Sequence, residues 1–201
     1  MDETRDLPNI HDYLTTIRLR LRDAASVPPP PPGTEKKAAA VLIPIFERGG
    51  ELHVLYTRRS DRLMSHRGQV AFPGGRFDRR DANLMTTALR ETHEEVGIAP
   101  EQVEVLGTFP GRRTRSTEIM VTPVVGLVSG ALALRPDPYE VAEIFDVPIH
   151  ALSDRRYRGR HAASNQGAII HHPAIVYGGH EIWGLTYYFT LSFLALARTE
   201  L

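Results

Sequence analysis

Residues 72–98 read F-P-G-G-R-F-D-R-R-D-A-N-L-M-T-T-A-L-R-E-T-H-E-E-V-G-I, and the way this stretch folds decides the rest. A helix over residues 82–96 turns by about 100° per residue, so Glu91, Glu94 and Glu95 share one narrow arc of its surface. Met85, Leu89 and Val96 point the other way, as the apolar stripe of a helix docked on a core. Gly97 is the expected stop. Three like charges at these spacings repel unless a cation or basic groups compensate them. On an arbitrary helix such a cluster is simply a solvated acidic face. Here it follows Pro73-Gly74-Gly75, a tight turn that brings backbone N–H groups towards whatever the carboxylates face, and Arg90 lies in the same run. Hard oxygen ligands in a chain without cysteine suit magnesium or manganese rather than zinc.

Gly75, Arg90-Glu91, Glu94-Glu95 and Gly97-Ile98 together resemble the Nudix box of the Nudix hydrolases. The resemblance implies hydrolysis of a pyrophosphate linkage in a nucleoside diphosphate joined to another group. It implies an α/β fold, the α/β/α sandwich with a mixed sheet and a catalytic loop-helix-loop, with extra N-terminal and C-terminal helices in this chain. Glu91, Glu94 and Glu95 would be the ligands of Mg2+ or Mn2+. Glu94 and Glu95 would take part in catalysis, Arg90 would hold the glutamate face in register, and Gly74 and Gly75 would lie against the metal and the substrate. The family's glutamate eight residues before the arginine is Ala82 here, and the nearest acid is Asp81, as if one residue were inserted after it.

Upstream, Leu55, Thr57, Arg59, Ser60, Gly68 and the F-P-G-G end resemble a second signature, that of the coenzyme A pyrophosphatase branch of the family. Where that branch has an arginine four residues before the glycine, this chain has Met64, with Arg62 and Arg67 as substitutes nearby. The branch implies coenzyme A or a derivative as substrate, and adenosine 3',5'-bisphosphate and 4'-phosphopantetheine or its derivative as products. A carboxylate from outside the box completes such sites, which points to Glu140 or Glu143, with the loop-borne Glu140 preferred. Two other readings stand beside this one: a Nudix hydrolase of ADP-ribose or another nucleoside diphosphate derivative, and a Nudix-fold binding module without turnover.

Composition narrows the setting. The chain has 201 residues, enough for one well-buried domain, which we place at residues 34–201 behind an N-terminal helix and proline-rich spacer at residues 1–33. Acidic and basic residues number 24 each, so no net field draws nucleic acid or an anionic membrane, and anion binding must come from local clusters. Disulfide and thiolate chemistry are excluded by the lack of cysteine. The N-terminus lacks the apolar core of a signal peptide and no run is long enough to span a bilayer, so a cytoplasmic protein acting on a small molecule is expected. A homodimer is left open.

Along the chain, Ile10, Tyr13, Leu14, Ile17 and Leu21 recur at helical spacing behind Asn9 as N-cap. The five prolines at 28–32 read as an extended spacer. Two strands over 38–46 and 51–59 flank Gly49-Gly50 as a β-hairpin. The polar loop over 60–69 then sets Arg59, Ser60, Arg62, His66 and Arg67 at the mouth of the site. Strands follow at 103–109 and 120–128, with Pro123 suggesting an edge or a bulge. Between them Arg112, Arg113 and Arg115 form a candidate phosphate clamp. Residues 132–134 suggest a further strand, 150–160 a short helix and turn, and 168–177 with 180–183 a second hairpin. His171, His172 and His180 read as surface or structural residues. From Leu185, the spacing of Phe189, Phe193 and Leu196 predicts a C-terminal helix packed on the core.

Overall fold

Strands Ala38–Arg48 (β1) and Glu51–Arg59 (β2) form an antiparallel hairpin, with Arg48 opposite Glu51 and Ile45 opposite Val54. Gly49 and Gly50 both have positive φ, 63° and 82°, the turn geometry whose twist matches that of the flanking strands. The computed structural model describes residues 9–23, 27–114, 117–165 and 168–198. Beyond Ile45 the two strands part. The first half of β1 pairs with Gly74–Arg76 (β4), and the second half of β2 pairs with Val70–Ala71 (β3). Phe72 and Pro73 cross between them, and Leu42 N–H donates to the Pro73 carbonyl at 2.9 Å. This divergence places Gly74 and Gly75 where they meet the carboxylates of the helix that follows.

The parallel partner of β1 is Met120–Val128 (β7), which in turn pairs antiparallel with Val103–Thr108 (β5) and Arg112–Arg113 (β6). Val141–Pro148 (β8) closes on β2. Together these make an eight-stranded mixed sheet. A second, three-stranded antiparallel sheet comprises Arg158–Asn165 (β9), Ala168–Tyr177 (β10) and His180–Trp183 (β11).

Helices cover both faces of the main sheet. Ile17 of Ile10–Arg20 (α1) and Phe189 and Phe193 of Gly184–Ala197 (α4) are buried with Ala39, Ile43 and Ile45 of β1. On the other face Leu84 and Ala88 of Leu84–Val96 (α2) pack on Ala38, Ala40 and Leu42. A strand buried on both faces reads as a continuous apolar run, as residues 38–46 do. The result is the expected α/β/α sandwich with a mixed sheet and helices at both ends. Ile149–Ser153 (α3) supplies the short helix foreseen after β8. Among the described residues no helix is long and apolar enough to cross a membrane.

Four local expectations change. The chain at Pro73-Gly74-Gly75 is not a tight turn: Gly74 and Gly75 belong to β4. Pro123 lies inside the sheet and not at an edge. It sits where the ladder on one side of β7 is interrupted, between the pairs Thr108–Val124 and Arg112–Val121, so no bond is lost there for want of its N–H. Residues 132–134 form no strand, although Leu132 and Leu134 still pack against Val96 and Ile98. The stretch expected as a turn towards residue 160 is instead the start of β9, whose small and polar side chains carry no alternating apolar signal.

Candidate active site

Asp81 anchors the carboxylate face. It is buried, and its two oxygens accept Arg90 Nε and Nη2 at 2.9 and 3.0 Å in a two-pronged pair. Thr87 Oγ1 donates to it at 2.8 Å and Asp78 N–H at 3.1 Å. Burial alone pushes the Asp81 carboxyl up; the bonds from Arg90, Thr87 and Asp78 outweigh it and hold the group below the usual carboxylate range. Arg90 then donates through Nη1 to Glu91 at 2.9 Å and to Glu94 at 3.0 Å, and its Nη2 reaches the Arg76 carbonyl at 3.3 Å. The extra residue before the box is absorbed in the turn ahead of Asn83. That residue caps α2 by accepting from Thr86 N–H at 2.9 Å, so the helix begins two residues later than the pattern suggests. Asp81, not Ala82, therefore reaches Arg90.

The three glutamates separate in environment. Glu94 is more than half exposed and turned to Arg90, whereas Glu95 is 4 % exposed. Gly74 N–H donates to Glu95 Oε2 at 3.2 Å. Both glycines are required by close approach: a Cβ at Gly75 would lie 2.3 Å from Glu91 Oε2, and one at Gly74 2.3 Å from the Ala40 carbonyl oxygen. Burial pushes the Glu95 carboxyl up to about 8, opposed by the Gly74 N–H and the Arg59 charge and reinforced by Glu140 and Glu91. Burial also raises Glu91, more than Arg90 lowers it, with Glu94 and Glu140 adding to the rise.

Glu140 reaches this cluster because the loop before β8 is fastened to the end of α2. Arg135 N–H donates to the Val96 carbonyl and Asp137 N–H to that of Glu95, both at 2.9 Å. These bonds are the reason residues 132–134 do not join the sheet. The Asp137 carbonyl accepts from Glu140 N–H at 3.1 Å, and Ser60 N–H donates to the Glu140 carbonyl at 2.8 Å, tying the strap to the loop after β2. Glu143 is used elsewhere, accepting from Arg58 Nε at 3.2 Å and lying 3.4 Å from His180 Nε2. Of the two outer carboxylates, only Glu140 acts on Glu91 and Glu95.

Arg59 acts on Glu95, and its buried Nε has no hydrogen-bond partner among the described residues. Ser60 is buried, its Oγ accepting from Arg62 N–H at 3.2 Å, so its role here is to shape the loop. Arg62 and Arg67 are exposed on that loop, Arg67 bonded to the Leu63 carbonyl and Met64 96 % exposed. The arginine run does not form a single clamp. Neighbouring strand residues point to opposite faces, so Arg112 stacks on Tyr188 while Arg113 donates to the Glu118 carbonyl at 3.1 Å. Arg115 lies outside the described residues. The histidines are structural or at the surface as expected: His180 stacks on Phe145, His172 on Trp183, and His171 is exposed.

Among the described residues no three acidic or histidine side chains already converge as a finished metal cage. Arg90 holds Glu91 and Glu94, and Gly74 holds Glu95. The donor set nonetheless fits a hard divalent cation. Glu140 makes both Glu91 and Glu95 harder to ionise, Glu91 adds to the effect on Glu95, and the opposing positive charge on Glu95 is limited to one N–H and Arg59.

Comparison with known proteins agrees with this geometry. Residues 36–166 match the model of the NUDIX domain. A relative in Photorhabdus laumondii, named as an uncharacterized Nudix hydrolase NudL, is 43% identical over 150 residues, covering 73% of this chain and 78% of its own. One of the same name in Yersinia pestis (strain Pestoides F) is 45% identical over 150 residues, covering 73% of each. The solved Nudix hydrolase RenU of M. smegmatis superposes with a TM-score of 0.50 at 25% identity, over 59% of this chain and 74% of its own. The chain, with its box of glutamates on α2 and its mixed sheet, belongs to the NUDIX domain family and is a Nudix hydrolase.

Proposed function

We propose that the protein hydrolyses the pyrophosphate bond of coenzyme A or its derivatives in a divalent-metal-dependent reaction, releasing adenosine 3',5'-bisphosphate and 4'-phosphopantetheine or its acyl form. The observation that carries the reaction is the partly buried Arg59, whose buried Nε is unsatisfied and whose charge acts on Glu95, beside the carboxylates Glu91 and Glu140. A carboxylate cluster short of positive charge beside an arginine short of an anion matches a metal-bound pyrophosphate in both respects. Glu91, Glu94 and Glu95 would hold Mg2+ or Mn2+. When bound, the ion supplies neutralisation of the phosphate charge and a more acidic water.

The chain's own groups do the rest. Arg59 offers its donors to a phosphate oxygen. The bare backbone at Gly75 leaves room for the Glu91 carboxylate, and that at Gly74 lets β4 pair closely with β1 and offer its N–H to Glu95. Glu140, positioned by the strap from Arg135 to Asp137, takes the proton from the attacking water. Arg90 is a positioning residue, holding Glu91 and Glu94 in place from the Asp81 side. The coenzyme A assignment is supported by Leu55, Thr57, Arg59, Ser60 and Gly68 of the upstream signature. Exposed Met64, in place of that branch's arginine, favours a second reading, hydrolysis of ADP-ribose or another nucleoside diphosphate derivative.

A turnover panel separates them: coenzyme A, ADP-ribose and a nucleotide sugar, each with Mg2+, Mn2+ and EDTA. Preferred cleavage of coenzyme A, abolished by EDTA, is expected. Faster cleavage of ADP-ribose overturns the substrate, and coenzyme A binding without cleavage under any metal overturns the reaction.

A further inference from the structure

We propose that Glu51, His53 and His150 form a second cation site, suited to Zn2+ or a similar borderline divalent ion, with Asp146 orienting His53 from behind. The site is independent of the reaction proposed above. Six residues of β2 separate His53 from Arg59, roughly 20 Å of extended chain.

Strand register gathers these groups. β2 and β8 pair with Leu55 opposite Asp146 and His53 opposite Pro148, and continuing that register by two residues brings Glu51 beside His150. Side chains two apart on a strand share a face, as do those paired across strands, so Asp146, His53 and Glu51 project together. His150 follows in the first turn of α3 and joins them, its Nδ1 in contact with Glu51 Oε1. On the other side, Glu51 Oε2 lies 4.0 Å from His53 Nε2. Glu51 thus bridges two imidazoles, and among the described residues no lysine or arginine pairs with it. Arg48, opposite Glu51 in the hairpin, turns instead to Asp146 at 2.5 Å.

His53 is set up as a ligand. Its Nδ1 lies 2.6 Å from Asp146 Oδ2, and an ionised carboxylate only accepts, so Nδ1 carries the proton. The Nε2 lone pair of the neutral ring is then open on the side where Glu51 Oε2 lies. Phe46 packs against the ring, centroids 5.8 Å apart, and the side chain is 12 % exposed, so its orientation is fixed. A carboxylate behind the far nitrogen is the usual support of a metal-bound histidine. His150 offers Nδ1 once its proton has passed to Nε2, the other tautomer of a neutral imidazole. The donors are gathered but not yet closed round one centre. Donors held at about 2.0–2.1 Å by a tetrahedral ion are about 3.3 Å apart. The 4.0 Å gap between His53 and Glu51 therefore needs only a small side-chain adjustment of Glu51 and the half-exposed His150. Two imidazoles with one carboxylate suit Zn2+, whereas an all-carboxylate set suits Mg2+ or Mn2+, so the two sites select different ions. Bound here, the ion ties the start of β2 to α3.

The test is calorimetric titration of the full chain with ZnCl2 at neutral pH under excess Mg2+, which keeps the glutamates of α2 supplied. One equivalent of Zn2+ should bind and raise the unfolding temperature. His53→Gln and His150→Gln should each weaken that binding by tenfold or more, and Asp146→Asn, which removes only the support, by about tenfold. His161→Gln, at the imidazole–carboxylate pair of the second sheet, and Glu95→Gln should leave it intact. Circular dichroism checks the fold of each variant, and the exposed position of His150 keeps the test available should His53→Gln fail to fold. Absence of Zn2+ uptake by the wild type overturns the site. Uptake that survives His150→Gln, or that is lost instead in His161→Gln or Glu95→Gln, overturns it equally.

Discussion

Substituting Glu95 by Gln should make the metal-free protein more stable, and only above acid pH. Glu95 has its carboxyl pushed to about 8 from an ordinary value of 4.5, first by burial and then by Glu140 and Glu91. Between those two values the folded state keeps a proton that the unfolded state has released. Stability then falls as pH rises, because the slope follows the protons bound in the unfolded state minus those bound in the native state. Each pH unit costs about 1.4 kcal/mol, so Glu95 removes roughly 4 kcal/mol by pH 8 and little more beyond it. Glutamine has no such titration. Urea unfolding of wild type and Glu95→Gln in EDTA, from pH 4.5 to 8.5, should give curves that coincide in acid and diverge by up to that amount. Saturating Mg2+ should close much of the gap by stabilising the wild type. Parallel curves across the whole range would refute the claim that Glu95 is buried with its charge largely uncompensated.

Asp81→Asn should destabilise the fold by about 3 kcal/mol, since it leaves Arg90 partly buried without its two-pronged partner, and should also slow hydrolysis; chemical denaturation and steady-state rates check both. Gly75→Ala should cut turnover about a hundredfold, because its Cβ would displace the Glu91 carboxylate, while circular dichroism stays native. Glu140→Gln should lower kcat on the order of 100-fold, as loss of a proton acceptor does. Glu143→Gln should cost under about 1 kcal/mol of stability and spare the rate, its partners being Arg58 and His180 on a half-exposed edge. Similar rates for the two glutamine variants would contradict the choice of Glu140.

The parts legible in the sequence were those written in local chemistry. Gly49-Gly50 between two apolar runs specifies a hairpin turn, and the apolar stripe and Gly97 specify a helix and its end, although its start behind Asn83 was read two residues early. The parts that were not legible depend on partners far along the chain. The spacing shows one residue inserted after Asp81, but not that a turn before Asn83 absorbs it and so brings Asp81 to Arg90. Gly74 and Gly75 read as a turn from composition, yet their pairing with Ala40 and Val41 makes them a strand. Residues 132–134 carry a strand's residues, but their neighbours' N–H groups find the carbonyls of Val96 and Glu95 first. Three arginines in four residues suggested one clamp, until strand alternation sent Arg112 and Arg113 to opposite faces.

The distribution of positive charge explains why the site is arranged around a cation rather than merely tolerating one. Arg90 carries one charge and spends it on three carboxylates, Asp81, Glu91 and Glu94. It is fixed there by the Asp81 pair, so it is not free to turn towards Glu95. Arg59 is near enough to lower Glu95 but makes no bond through its Nε. Glu95, and Glu91 in part, are thus buried under the influence of Glu140 with too little positive charge around them. Were stability the only requirement, a glutamine at 95 would serve better, as the pH argument shows. Retaining the acid makes sense only if something doubly positive comes to these carboxylates, and the bare backbone of Gly75 leaves the Glu91 carboxylate the room it needs to take part.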